Sequence, residues 1–90
     1  MSREKRDREI LGANIAQRRR ALGLTQERLA HSAGIGRSTL SSIENGSANP
    51  RHNILSRIAE SLDIPLSILQ ADPKDLSEGG NYDYYFLRGK

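Results

Sequence analysis

Residues Leu22 to Pro50 read LGLTQERLAHSAGIGRSTLSSIENGSANP, and the fold turns on this stretch. Thr25 is a good N-cap: its hydroxyl can accept from an orphan backbone N–H of a helix that begins there, and Glu27 stands near the positive end of that helix's dipole. Leu29, Ala30 and Ala33 fall at helical spacing on one apolar face, with Gln26, Glu27 and Arg28 around the exposed start. Gly34 ends the helix, because glycine enters the left-handed conformation without a Cβ penalty and lets the chain redirect at once. Ile35 fills the angle of the turn, Gly36 is an acceptable N-cap for a second helix, and Asn45-Gly46 marks its end. The stretch therefore predicts two short helices joined by a tight glycine turn.

The two sides of the second helix differ in kind. With Leu40 at zero on a wheel of about 100° per residue, Ile43 and Glu44 lie within about 60° of it, while Ser38, Ser42 and Asn45 point the other way. One side packs. The other offers small hydroxyls and an amide, with Arg37 in the first turn and no aliphatic or acidic residue, so it can approach a polyanion.

Outward from this pair, a first helix is predicted from about Arg8 to Ala21, with Leu11 and Ile15 on one stripe. Arg19 falls on the same stripe. A buried guanidinium requires an anionic partner, and Glu44, on the inward side of the second short helix, is the candidate. Arg18 and Arg20 read as solvated, or close to a bound phosphate. A fourth helix carries Ile54, Leu55, Ile58, Ala59 and Leu62 on its core face, with Pro50 near its start and Asp63, which tolerates a left-handed conformation, after its end. Ile64-Pro65 opens a short fifth helix holding Leu66, Ile68 and Leu69, of which Leu66 and Leu69 are candidates for cover by a second subunit.

The net charge of +3 conceals a division: residues 1–9 sum to +1, residues 10–57 to +5 with Glu27 and Glu44 as their only acids, and residues 58–90 to −3. The positive excess coincides with the helix pair, where contacts with a polyanion would be made. Ninety residues allow one small domain with little surplus core. The absence of cysteine removes disulfides and makes a zinc site improbable. No apolar run reaches the length of a membrane span, and SREKRDRE lacks the apolar stretch of a signal peptide, so a soluble, cytoplasmic protein with no membrane partner is expected. Neither His31 nor His52 belongs to a nucleophile or metal spacing, and the GIG and GG pairs read as turn glycines, so no enzyme, cofactor or metal is expected.

Four stretches, IAQRRRALGLTQERLA, AGIGRSTLSSIENG, ANP and ILSRIAESLDI, make residues 10–70 resemble the lambda-repressor/Cro-type helix-turn-helix family, also called the XRE family. The resemblance implies an all-α, compact five-helix bundle, commonly a homodimer, that binds operator DNA and regulates transcription. Family members also serve as antitoxins, restriction-modification controllers and phage switches, so biological role does not follow from fold. The resemblance further implies an Arg19–Glu44 pair, helix 3 in the major groove, a phosphate-clamping and base-buttressing role for Gln26, and backbone contacts from the loop that holds Asn45, Ser47 and Asn49. Arg37, Ser38 and Ser42 become the base-reading candidates, with Thr39 and Ser41 flanking them. None of those three base-reading positions carries a glutamine or asparagine, so no family rule for the base read transfers.

The chain thus divides into a charged arm (1–9), a DNA-binding domain (10–70), a linker (71–80) and a tail (81–90). The tail holds every aromatic residue, Tyr82, Tyr84, Tyr85 and Phe86. Docking on the domain, dimer contact, capture of a protein partner and disorder are the alternatives for it. Two further functions stay open: an antitoxin or protein-binding module that uses this tail, and a scaffold or coactivator with little direct affinity for DNA.

Overall fold

The computed structural model describes residues 2–76 and 80–88, and every regular element among them is helical. The order is α1 (Arg3–Ala21), α2 (Gln26–Ala33), α3 (Arg37–Glu44), α4 (His52–Ser61), α5 (Leu66–Leu69), α6 (Pro73–Leu76) and a π-helical turn at Asp83–Arg88. The expected five-helix bundle is present, and the differences lie at its ends. Helix α1 starts at Arg3 rather than Arg8, so most of the expected arm is helix. Ser2 caps it by accepting from the Lys5 amide at 3.1 Å, and Glu4 stands in the first turn against the dipole. The stretch read as a linker contains α6, whose Leu76 is buried. Residues 77–79 of that linker and 89–90 of the tail lie outside the described residues.

Helices α1 to α4 all close in the same way. After α2, Gly34 takes φ 70°, its amide donates to the His31 carbonyl at 3.1 Å, and the Ile35 amide reaches the Ala30 carbonyl at 2.9 Å. After α4 the left-handed position belongs to Asp63, with φ 50°, and the paired bonds run to Glu60 and Ala59. Aspartate is among the few side chains that tolerate this conformation.

Between the helices lies an aliphatic core centred on Ile15, Leu29, Leu40, Ile43, Ile58, Leu62 and Leu69, with Phe86 of the tail added to it. Helix α1 packs against α3 on one side and the C-terminal turn on another, and α2 sits between α3 and α4. The α1–α3 approach depends on Gly12. A Cβ there would fall 2.3 Å from the Ile43 carbonyl oxygen and 2.5 Å from that of Glu44. Glycine in mid-helix costs about 0.5–1 kcal/mol relative to alanine, and here it allows two backbones to meet.

Polar groups on α1 then secure the ends of the other elements. Asn14, buried, donates to the carbonyls of Leu69 at 2.9 Å and Ala71 at 2.8 Å, beyond the end of α5. Gln17 donates to the Phe86 carbonyl at 3.0 Å. Arg18 is not solvated as expected but 3% exposed, donating to Leu62 at 2.8 Å, Tyr85 at 3.0 Å and Asp63 at 3.2 Å, with its guanidinium 5.5 Å from the centre of the Tyr85 ring. Burial pushes Arg18 below its ordinary value, while Asp63, Tyr84 and Tyr85 oppose that shift. Arginine stays protonated under such a balance, so the contact is that of a cation with carbonyl dipoles.

The tail consequently docks on its own domain. Phe86 is fully buried and Tyr82 and Tyr85 are half-buried, leaving Tyr84 and Leu87 as the exposed large apolar residues among those described. Leu69 is also fully buried within the chain, so Leu69 and Phe86 are corrected as candidates for a second subunit or partner. Leu66 remains half-exposed. Of the alternatives for the tail, docking on the domain is the one Phe86 follows, and its partner there, the Gln17 donor on α1, lies far away in sequence.

Candidate nucleic-acid interface

Helix α3 is held from beneath. Leu40 and Ile43 enter the core, and the Glu44 carboxylate receives Arg19 Nε at 2.8 Å and Nη2 at 3.1 Å in a two-pronged contact. Both side chains are largely buried, Arg19 at 11% and Glu44 at 6% exposure. A third Arg19 nitrogen donates to the Leu24 carbonyl at 2.9 Å, so the guanidinium ties α1, the α1–α2 turn and α3 together. Gln26 Nε2 adds a donor to Glu44 Oε1 at 3.0 Å. The first residue of α2 is thereby locked to the last residue of α3. Replacing one partner of a buried pair by an apolar stub leaves the other charge uncompensated, at a cost of about 3–5 kcal/mol.

This bracing leaves the first turn of α3 free to point out. Arg37, Ser38 and Thr39 are exposed, as is Asn45 beyond the last turn. Ser41 and Ser42 are half-buried, which departs from the wheel's outward placement of Ser42. The loop after α3 folds back there: the amides of Ser47 and Ala48 donate to the Ser42 carbonyl at 3.0 and 3.1 Å, and the Ser47 hydroxyl does so at 3.2 Å. Asn45 Oδ1 accepts from the Ser47 amide at 3.0 Å, which closes this loop on itself, and Ser47 and Asn49 stand on its surface. The exposed polar surface is therefore concentrated on Arg37, Ser38 and Thr39, with the loop at its far end.

Gln26 is half-buried, and its amide is already committed on one side to Glu44. An amide nitrogen carries two hydrogens, so one donor remains for an anion in front of α2. Beside it, Glu27 Oε1 lies 3.8 Å from Arg37 Nη1. The wheel for α3 alone could not show this carboxylate, because it comes from the neighbouring helix.

The sequence model of the helix-turn-helix family matches residues 15–69, which contain α2, the Gly34 turn and α3. The chain belongs to the helix-turn-helix family of DNA-binding transcriptional regulators. Two curated relatives agree. The ImmF control region 10 kDa protein of Bacillus phage phi105 is 38% identical over 77 residues, 86% of each chain. An uncharacterized HTH-type transcriptional regulator of Sinorhizobium fredii, y4dJ, is 39% identical over 57 residues, 63% of this chain and 74% of its own. Among solved structures, the restriction-modification controller protein C.AhdI from Aeromonas hydrophila superposes with a TM-score of 0.69 at 33% identity, covering 71% of this chain and 97% of its own. Among its described residues, this helix-turn-helix regulator has no helix long and apolar enough to cross a membrane.

Proposed function

We propose that this regulator is a cytoplasmic repressor that binds a palindromic operator as a homodimer, acting by binding and not by catalysis. The observation that carries the reading is the open first turn of α3, presented by a family fold and braced by the Arg19–Glu44–Gln26 cluster. In the major groove, Arg37 makes a two-pronged contact to guanine, and Ser38 and Ser42 donate to or accept from base edges. The free amide hydrogen of Gln26 meets a phosphate at the front of α2, supporting the base-reading residues from behind. Thr39, Ser41, Asn45, Ser47 and Asn49 follow the backbone on either side.

One such module covers too little DNA to single out a site in a genome, whereas two related by a two-fold axis read half-sites about 34 Å apart. Tyr84 and Leu87, exposed, and Leu66, partly exposed, are among the apolar groups of the described residues left open for that contact. The test is selection of bound fragments from the source genome, followed by titration of the recovered sites at several salt concentrations. A shared two-fold symmetric sequence is expected, with affinity falling at a log–log slope near −0.9 per phosphate neutralised. Asymmetric sites bound by single copies would remove the dimer, and the absence of salt-sensitive binding would overturn the reading as a whole in favour of a scaffold.

A further inference from the structure

We infer that Glu27 is a specificity-determining residue that acts through Arg37, orienting its guanidinium toward a base edge and holding it off the phosphates. The inference rests on the base-reading role proposed for Arg37.

Residues 10–57 hold two acids. Glu44 is spent inside the domain on Arg19 and Gln26. Glu27 is left as the exposed carboxylate of a strongly basic segment, 76% exposed, with Oε1 3.8 Å from Nη1 of the 65% exposed Arg37. The backbone that carries it is anchored, since the Thr25 hydroxyl caps α2 by accepting from the Arg28 amide at 3.1 Å. A carboxylate on a surface that meets phosphates weakens binding to every DNA sequence alike. Beyond its place against the α2 dipole, it favours function only if it improves discrimination. The guanidinium geometry supplies the means: a carboxylate beside Nη1 leaves the opposite edge, Nε and Nη2, to form the fork that fits guanine O6 and N7. An arginine without that neighbour would settle on the nearest phosphate as readily as on a base.

The experiment measures the full chain's affinity for the selected operator, for every single-base variant of it and for unrelated DNA, comparing wild type with Glu27→Gln, Glu27→Asp, Arg37→Ala and the Glu27→Gln/Arg37→Ala double variant. Glu27→Gln is expected to bind unrelated DNA more tightly and to lose about three- to fivefold in preference at the base pair that Arg37→Ala flattens, the scale of an exposed ion pair. Glu27→Asp should recover part of that preference, and the double variant should be no flatter than Arg37→Ala alone. A purely helix-stabilising Glu27 would shift the melting temperature and leave base preference untouched, which overturns the inference while leaving Arg37 as reader. If Arg37→Ala itself flattens no position, the underlying assignment of Arg37 is at fault, and the role of Glu27 falls with it.

Discussion

Two faces in this molecule are both built from hydrogen-bond donors and do opposite things. On the inner side of α1, Asn14, Gln17, Arg18 and Arg19 each donate to a carbonyl or carboxylate that belongs to another element. On the first turn of α3, Arg37, Ser38 and Thr39 face solvent. The difference lies in what waits opposite. Helix C-termini leave carbonyls that need donors, and α1 crosses the ends of α4, α5 and the C-terminal turn, so its donors are consumed in holding those ends. Among the described residues the first turn of α3 meets no such carbonyl, only the Glu27 carboxylate beside Arg37 Nη1, so its remaining donors stay available for an external acceptor. The inner face fixes where α3 stands, and the outer face can then afford to be polar.

The contrast is broken most severely at Arg18. Arg18→Met keeps most of the volume but leaves the carbonyls of Leu62, Asp63 and Tyr85 short of a donor. We expect a loss of about 3–5 kcal/mol in urea unfolding, since each buried acceptor left without its donor costs about 1–3 kcal/mol. A change below about 1 kcal/mol would place Arg18 among ordinary surface arginines and end the argument for the inner face. Phe86→Ala comes next. Emptying a fully buried phenylalanine site usually costs about 3–5 kcal/mol, but the turn that carries Phe86 packs chiefly on α1, and the loss cannot exceed the free energy of docking that turn. About 2–3 kcal/mol is therefore expected, with faster hydrogen exchange in residues 81–88 and unaltered exchange in α2 and α3. Equal acceleration throughout would mean that the C-terminal turn is integral to the bundle.

Arg37→Ala tests the outer face and should separate binding from folding. Stability should stay within about 0.5 kcal/mol of wild type, as for exposed sites generally. Operator discrimination should fall by about 1–3 kcal/mol at one base position. Measured across operator variants, intact selectivity would remove Arg37 from the base-reading role.

Much of this arrangement was legible because its signals are local. Thr25, Gly34 and Asp63 announce helix ends through their own conformational preferences, and each occupies the position expected of it. The Arg19–Glu44 pair could be found from helical spacing, since two charged residues on inward stripes need one another. Arg18 carried no such signal. Its acceptors are backbone carbonyls 44 to 67 residues away, and a carbonyl looks the same at every position of a sequence. Gly12 was overlooked for a related reason: its meaning lies in the α3 backbone that approaches it, although an isolated glycine in a helical pattern is itself a prompt to look for close packing. The early start of α1 did have a local sign, Ser2 followed by Glu4. At the interface, sequence periodicity placed the serines of α3 but could not see Glu27 arriving from α2 or the loop folding over Ser42, because both are relations between elements.

The smallest effect belongs to a tie of the inner kind set in water. At the exposed end of α1, Arg6 reaches Asp72 Oδ2 at 3.2 Å, while the Lys74 amide donates to Asp72 Oδ1 at 3.0 Å. The hydrogen bond from the Lys74 amide chiefly, opposed by desolvation and assisted by the charges of Lys74 and Arg6 and the Arg6 hydrogen bond, holds the Asp72 carboxyl below its ordinary value. A carboxyl depressed by folding adds stability above its unfolded value, and that contribution disappears as the pH falls through the folded one. Following the Asp72 carboxyl carbon by NMR should give a midpoint below that of an unfolded aspartate. Arg6→Ala should raise the midpoint only in part, because the Lys74 amide remains, and should lower the unfolding midpoint near neutral pH only slightly, as for an exposed ion pair. If Arg6→Ala instead destabilised the fold as much as Arg18→Met, burial would not be what separates the two ends of α1, and the contrast between inner and outer faces would have to rest on geometry alone.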